Sequence, residues 1–266
     1  MHRFFTSGIN EYEKTISITG EDVNHIKNVL RLSTGDEITI SDGRGRDYIS
    51  RISSINENEV LADIVDICDT AAELPADITL FQGMPKGDKM ELIIQKAVEL
   101  GVHDIVPVMM DRTVVKLDDK KKDKKISRYQ LIAESAAKQS GRGMIPEVKP
   151  FMRYKEAIDF VSTSEYDVLL VPYEDARGMQ YSHEVINDVG HTVFDSKPAV
   201  ENDSHLSNDK KKKIAIFIGP EGGFASSEIE MAKSADAKVF SLGHRILRTE
   251  TAGLTILSIL MFMLDR

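Results

Sequence analysis

The stretch Ile214-Ala215-Ile216-Phe217-Ile218-Gly219-Pro220-Glu221-Gly222-Gly223-Phe224 decides the fold. Its apolar run shows no alternation, the pattern of a strand covered on both faces. A glycine-rich turn follows, then Ser226–Ala235, which reads as a helix with Ser227 and Glu230 as a capping box. A strand, a glycine turn and a helix make the building unit of an open parallel sheet. Ligands on such sheets sit beyond the carboxyl ends of the strands, and glycines let the backbone approach them closely. The turn is neither a Walker A loop nor a G-x-G-x-x-G fingerprint. On residues alone it is either a ligand loop or a tight turn.

Reading outward, the same alternation extends upstream to residue 76. Ile78–Met84, Asp104–Met109 and Asp167–Val171 read as strands; Asp88–Leu100, Lys125–Ser140 and Tyr154–Ser162 read as helices, with Gly101 as a C-cap. Residues 183–212 are polar and read as loop. Downstream, Val239–Leu242 is a strand, and Ala252–Leu264 reads as a helix buried on all sides, too short to cross a bilayer of about 20 helical residues. Between them lies Leu242-Gly243-His244-Arg245-Ile246-Leu247-Arg248-Thr249-Glu250-Thr251-Ala252, a second strand-to-helix loop rich in polar groups. Arg248 and Glu250 there are either part of a pocket shared with the first loop or an ion pair at a helix start, where glutamate suits the dipole.

The first 70 residues are β-rich. Tyr12–Ile18, Glu37–Ile40, Tyr48–Ile55 and Val60–Val65 alternate as half-buried strands do, and Asp42-Gly43 marks a hairpin turn. Glu21–Leu32 reads as a helix, and residues 70–75 as a linker. The expected division is a small barrel over 1–72 and an α/β domain over 73–266.

Composition narrows the chemistry. Net charge is −9 over 266 residues, which argues against coating nucleic acid by bulk charge. A basic segment stands out nevertheless: Arg112, Lys116, Lys120, Lys121, Lys122, Lys124, Lys125 and Arg128 against Asp118, Asp119 and Asp123. It is either a solvated loop or a phosphate contact. The single cysteine, Cys68, permits no internal disulfide and fits a reducing compartment. Seven scattered histidines form no His-Glu-x-x-His, and no Gly-x-Ser-x-Gly elbow occurs, so metal and covalent hydrolase readings lose support. The apolar region of a signal peptide is absent near Met1, so a cytoplasmic protein without membrane or metal partners is expected.

Ile218-Gly219-Pro220-Glu221-Gly222-Gly223 followed by Leu242-Gly243-x-x-Ile246-Leu247-Arg248-x-Glu250-Thr251-Ala252 resembles the SPOUT methyltransferases, and within them the RsmE-type enzymes. His2-Arg3-Phe4-Phe5, His25-Ile26-x-x-Val29-Leu30-Arg31, Lys86-Gly87, Gln95-Lys96-Ala97-x-Glu99-Leu100-Gly101-Val102 and Gln139-Ser140-x-Arg142 extend the likeness over nearly the whole chain. Lys138 departs from it, standing where many members carry an acid. The resemblance implies a PUA-like β-barrel followed by a trefoil-knotted SPOUT α/β domain. It also implies S-adenosylmethionine (SAM) as cofactor and a homodimer. The implied reaction is methylation of uridine N3 in 16S RNA of the small ribosomal subunit. The alternatives are a ribose 2′-O or another base as target, or a non-catalytic assembly factor.

The resemblance places SAM against Tyr173, Gly219, Glu221, Leu242, Gly243, Ile246, Leu247 and Thr249. Uridine N3 must lose a proton before it attacks. Arg248 and Arg142 are candidates for holding the resulting anion or a phosphate, and Glu221 and Glu250 for hydrogen bonding or accepting the proton. Arg31, Arg44, Arg46, Arg112, Lys120, Lys121, Lys122 and Lys124 are candidates for RNA contact.

Overall fold

The computed structural model describes residues 2–6, 8–9, 13–115, 117–174, 178–194 and 210–265. Lys116 of the basic segment, the expected strand start at Tyr12 and residues 195–209 of the expected loop lie outside them. The chain forms two compact units, Met1–Glu73 with Ala137–Ile145, and Leu74–Ala136 with Pro146–Arg266.

In the first unit, strands β1 (His2–Phe5), β2 (Thr15–Thr19), β3 (Glu37–Ser41), β4 (Arg46–Ile55) and β5 (Glu59–Asp69) form a five-stranded sheet in the order β1-β3-β4-β5-β2. β1 runs parallel to β3 and the other pairs are antiparallel. This curled sheet is the PUA-like barrel that the sequence leads one to expect, with β1 and β2 as its end strands among the described residues. Alternating residues Ile16, Ile18, Ile38, Ile40, Tyr48 and Ile52 meet Val23 and Ile26 in one core. The expected helix over Glu21–Leu32 is instead α1 (Glu21–Asn24) continued by a π-helical turn, His25–Val29. There the Leu30 N–H donates to the His25 carbonyl at 2.9 Å. Arg31 follows with φ at 55°.

Residues 70–75 are not a free linker. Thr70 is buried, and its side chain lies so close to Gly143 that any side chain there would collide with it. The Glu73 carboxylate accepts hydrogen bonds from the N–H groups of Gly143 and Met144 and pairs with Arg142. This clamp is why residues 137–145 join the first unit, which the division expected at 72/73 leaves out.

The second unit holds a parallel sheet of β6 (Ala76–Gly83), β7 (Asp104–Met109), β8 (Glu147–Val148), β9 (Met152–Arg153), β10 (Val168–Pro172), β11 (Lys212–Ile218) and β12 (Lys238–Phe240). The order is β12-β10-β11-β6-β7-β8, with β9 also on β7. Helices α2 (Lys89–Glu99), α3 (Asp119–Ser140), α4 (Tyr154–Thr163), α5 (Met179–Phe194), α6 (Ser226–Ser234) and α7 (Thr249–Leu264) complete the chain. Ile214, Ala215, Ile216 and Phe217 are buried on both faces of the sheet, as the unbroken apolar run requires. Phe217 stacks on Phe81 of the neighbouring strand at 4.4 Å between ring centroids.

Several expectations change. Residues 183–194 belong to α5, whose Val185, Val189 and Val193 recur on one buried face that the polar residues between them masked. α3 begins at Asp119, so the lysine run is helical; the Asp118 carboxylate caps it by accepting the Lys121 N–H at 2.9 Å. The cap of α6 is Glu228, not Ser227 with Glu230: its carboxylate accepts the N–H groups of Ala225 and Asp111. The final helix is not covered on all sides. Gly253, Ile256, Leu257, Leu260 and Leu264 are buried where α7 packs on α2, α5, β6 and β11, while Phe262 is 84% exposed and Ile259 is exposed beside it.

Candidate active site

Because β6, β10, β11 and β12 are parallel neighbours, their carboxyl ends open on one edge of the sheet. The loops leaving that edge enclose a cavity of about 430 Å³. That is within the usual range for small-molecule sites, ~300–1,000 Å³. Its wall brings together Tyr173, Gly219, Glu221, Leu242, Gly243, Ile246, Leu247, Arg248 and Thr249 from three loops. It also includes Lys89, which the sequence reading missed.

The glycine loop is folded tightly on itself. A side chain at Gly219 would sit 3.1–3.2 Å from backbone atoms of Gly223. Gly223 has φ at 66° and donates its N–H to the Pro220 carbonyl at 2.9 Å. Phe224 then turns inward against the rings of Tyr154 and Tyr173. At Gly222 a side chain would meet Arg112 Cβ at 2.9 Å, and the Arg112 guanidinium donates to the Gly222 carbonyl at 2.9 Å. Arg112, expected as an RNA contact, is therefore tied to the glycine loop rather than set apart with the lysines.

A buried hydrogen-bond chain joins the two cofactor-type loops. The Thr249 hydroxyl donates to the Gly219 carbonyl at 2.6 Å and accepts from the Gln82 amide at 2.8 Å. Gln82 is fully buried, and its other amide hydrogen goes to the Gly83 carbonyl. The hydroxyl of Thr249 is thus engaged inside the protein, although the residue lines the cavity. Gln82 gave no signal in the sequence, because only the sheet order reveals that β6 lies beside β11.

Lys89, at the start of α2, places its ammonium 3.3 Å from both Glu221 and Glu250. Glu250 stands behind the wall rather than in it. Burial alone would raise the Glu221 carboxyl, but the Lys86 N–H at 3.0 Å and the Lys89 ammonium outweigh it and hold the group below the usual carboxylate range. That makes Glu221 a weaker proton acceptor than expected.

Arg142 does not belong to this cavity. It lies in the first unit, 3% exposed and bonded through two guanidinium nitrogens to Glu73. Arg31 and Arg44 are exposed and Arg46 is half-buried in the same unit. Lys120, Lys121 and Lys124 are exposed on the first turns of α3, where Lys121 pairs with Asp118 and half-buried Lys122 with Asp119. Among the described residues no cluster of His, Cys, Asp and Glu could hold a metal ion, and no helix is long and apolar enough to cross a membrane.

The wall suits a nucleoside-type cofactor. Leu242, Ile246 and Leu247 supply an apolar surface, Gly219 and Gly243 bare backbone, and Glu221 a charged acceptor. Comparisons with known proteins agree with that character. The model of an RNA methyltransferase domain matches residues 72–261, and that of an RNA methyltransferase PUA domain residues 18–65. The chain is 35% identical to ribosomal RNA small subunit methyltransferase E of Bacillus subtilis, covering 100% of this chain and 98% of the relative. It is 28% identical to the protein of that name from Aquifex aeolicus, over 98% and 99%. Its structure resembles that of ribosomal RNA small subunit methyltransferase E from Neisseria gonorrhoeae bound to S-adenosyl methionine. The TM-score is 0.74 and identity 31%, over 97% of this chain and 95% of that one.

Proposed function

Since this chain belongs to the ribosomal RNA small subunit methyltransferase E family, we propose that it methylates N3 of a uridine in small-subunit 16S RNA with SAM as donor. The observation that carries this reading is the cavity at the carboxyl edge of the parallel sheet, walled by the glycine loop and residues 241–249. When bound there, SAM supplies an activated methyl group on a sulfonium.

The chain's own residues supply position and charge. Gly219 and Gly243 bring backbone groups to the cofactor, while Leu242, Ile246 and Leu247 cover its apolar face. Uracil N3 reacts once its proton has left, so the site must favour the uracil anion. Arg248 is exposed at the wall and is the cation assigned to that anion. Glu221, held ionised, serves as an acceptor for cofactor hydrogen-bond donors rather than as the base. In a duplex N3 is paired, so the target uridine must be unstacked or single-stranded when it reacts.

RNA is held by the first unit through Arg31, Arg44 and Arg46, and by Arg112 and the α3 lysines in the second. The protein works as a homodimer in the cytoplasm; the apolar, exposed Phe262 and Ile259 of α7 support an interface there. The family's trefoil knot is part of the same reading, supported by the return of the chain from edge strand β12 to the sheet centre at α7.

The test is a tritiated-SAM assay on small subunits lacking the modification, with the labelled nucleoside identified by mass spectrometry. N3-methyluridine in the RNA is the expected product. A 2′-O-methylated ribose or another base would move the reading to that target.

A further inference from the structure

We propose that Lys89 is a positioning residue whose ammonium clasps Glu221 of the glycine loop to Glu250 of α7, fixing the two cofactor loops in one geometry. The inference rests on the reading of the cavity as the SAM site.

Three separate connections meet at this point: the start of α2, the loop after β11 and the start of α7. The lysine nitrogen lies 3.3 Å from each carboxylate, and all three side chains are at least partly buried. Glu250 Oε2 is a buried oxygen with no aligned hydrogen bond among the described residues, so the Lys89 charge is what compensates it. Glu221 has a second support in the Lys86 N–H. Without the ammonium, two carboxylates would share one partly buried space and repel each other. The least costly response would be to move the loops apart, which spoils the cavity wall. Lys89 therefore acts through the two glutamates, and the cluster adds to the buried tie from Thr249 to Gly219 between the same loops.

The experiment is a double-mutant cycle on the full chain, read by calorimetric SAM affinity and by urea stability, with Lys89→Met, Lys89→Arg, Glu250→Gln and the Lys89→Met/Glu250→Gln pair. Lys89→Met is expected to weaken SAM binding about ten-fold, or ~1.4 kcal/mol. Lys89→Arg should stay near wild type, since it keeps the charge. Adding Glu250→Gln to Lys89→Met should recover most of the loss, because the repelling charge is gone. Wild-type affinity in Lys89→Met, or an equal loss with and without Glu250, would overturn the proposal. Should Lys89→Met fail to fold, Glu250→Gln must weaken SAM binding while Lys89→Arg keeps it; the reverse pattern rejects the clasp. Absence of SAM binding in the wild-type protein would instead refute the reading of the cavity, and the stability cycle would still judge the clasp.

Discussion

At the scale of single residues, the site depends on buried polar atoms that have few alternatives. Thr249→Val keeps the shape but removes the hydroxyl between Gly219 and Gln82. One carbonyl and one amide hydrogen are then left buried without partners, at a cost of about 1–3 kcal/mol. Urea denaturation should show that loss, and calorimetry a weaker SAM affinity; full stability would remove the chain as a tie between loops. Arg142→Met tests the opposite assignment. Breaking a buried ion pair from one side costs roughly 3–5 kcal/mol. The variant should therefore melt early, yet the protein that remains folded should bind SAM as the wild type does. Acid should act on the same scale. The Glu221 carboxyl is held below its usual range in the folded protein, so its contribution is present above the unfolded value and disappears as pH falls through the folded one. Glu221→Gln should flatten that part of the stability-against-pH curve. The two strand-to-helix loops that wall the cavity were legible as turns rich in glycine or polar groups, but the residue pattern left ligand loop and tight turn equally open, and only the resemblance assigned them to a cofactor. Lys89 and Gln82 were not legible: one sits in an ordinary helix start, the other in a buried strand, and only the sheet order brings them to the loops.

Among elements, strands were easier to read than helix limits. An unbroken apolar run such as Ile214–Ile218 has few other places to go than the middle of a sheet. α3 was cut short in the sequence reading because Lys120–Lys125 carries no apolar stripe; its start is set by Asp118, a cap of the ordinary kind. In the proposed RNA contact, the helical form would present exposed Lys120, Lys121 and Lys124 from a rigid rod instead of a loop. Changing Lys120, Lys121, Lys122 and Lys124 to Glu should weaken RNA binding and lower its salt slope, with SAM affinity unchanged. If RNA affinity and slope stay at wild-type values, the basic surface lies on the first unit alone. The π-helical turn at His25–Val29 was illegible for a different reason: one extra residue per turn leaves Val23 and Ile26 on the buried face, as an ordinary helix would.

For the whole molecule, the uncovered face of α7 is the main unfinished business of a single chain. Phe262→Asp with Ile259→Asp places charges on an exposed surface, so the fold should survive. Light scattering should report a dimer for the wild type and a monomer for the double variant at micromolar concentration. A wild-type monomer with full activity would rule the interface out. Leu257 and Leu260 are unsuited to this test, because both are buried within the protomer itself. The clamp of Glu73 on residues 142–144 has a consequence of another kind. The first unit is assembled from two distant stretches of chain, so it cannot be completed in the order in which it is synthesised. While the ribosome is still making β7 and α3, Thr70 and Glu73 wait without the partners that close their end of the sheet. The N-terminal unit becomes whole only after the second has begun, and a gene cut at the junction after residue 73 would encode a half that lacks its last piece.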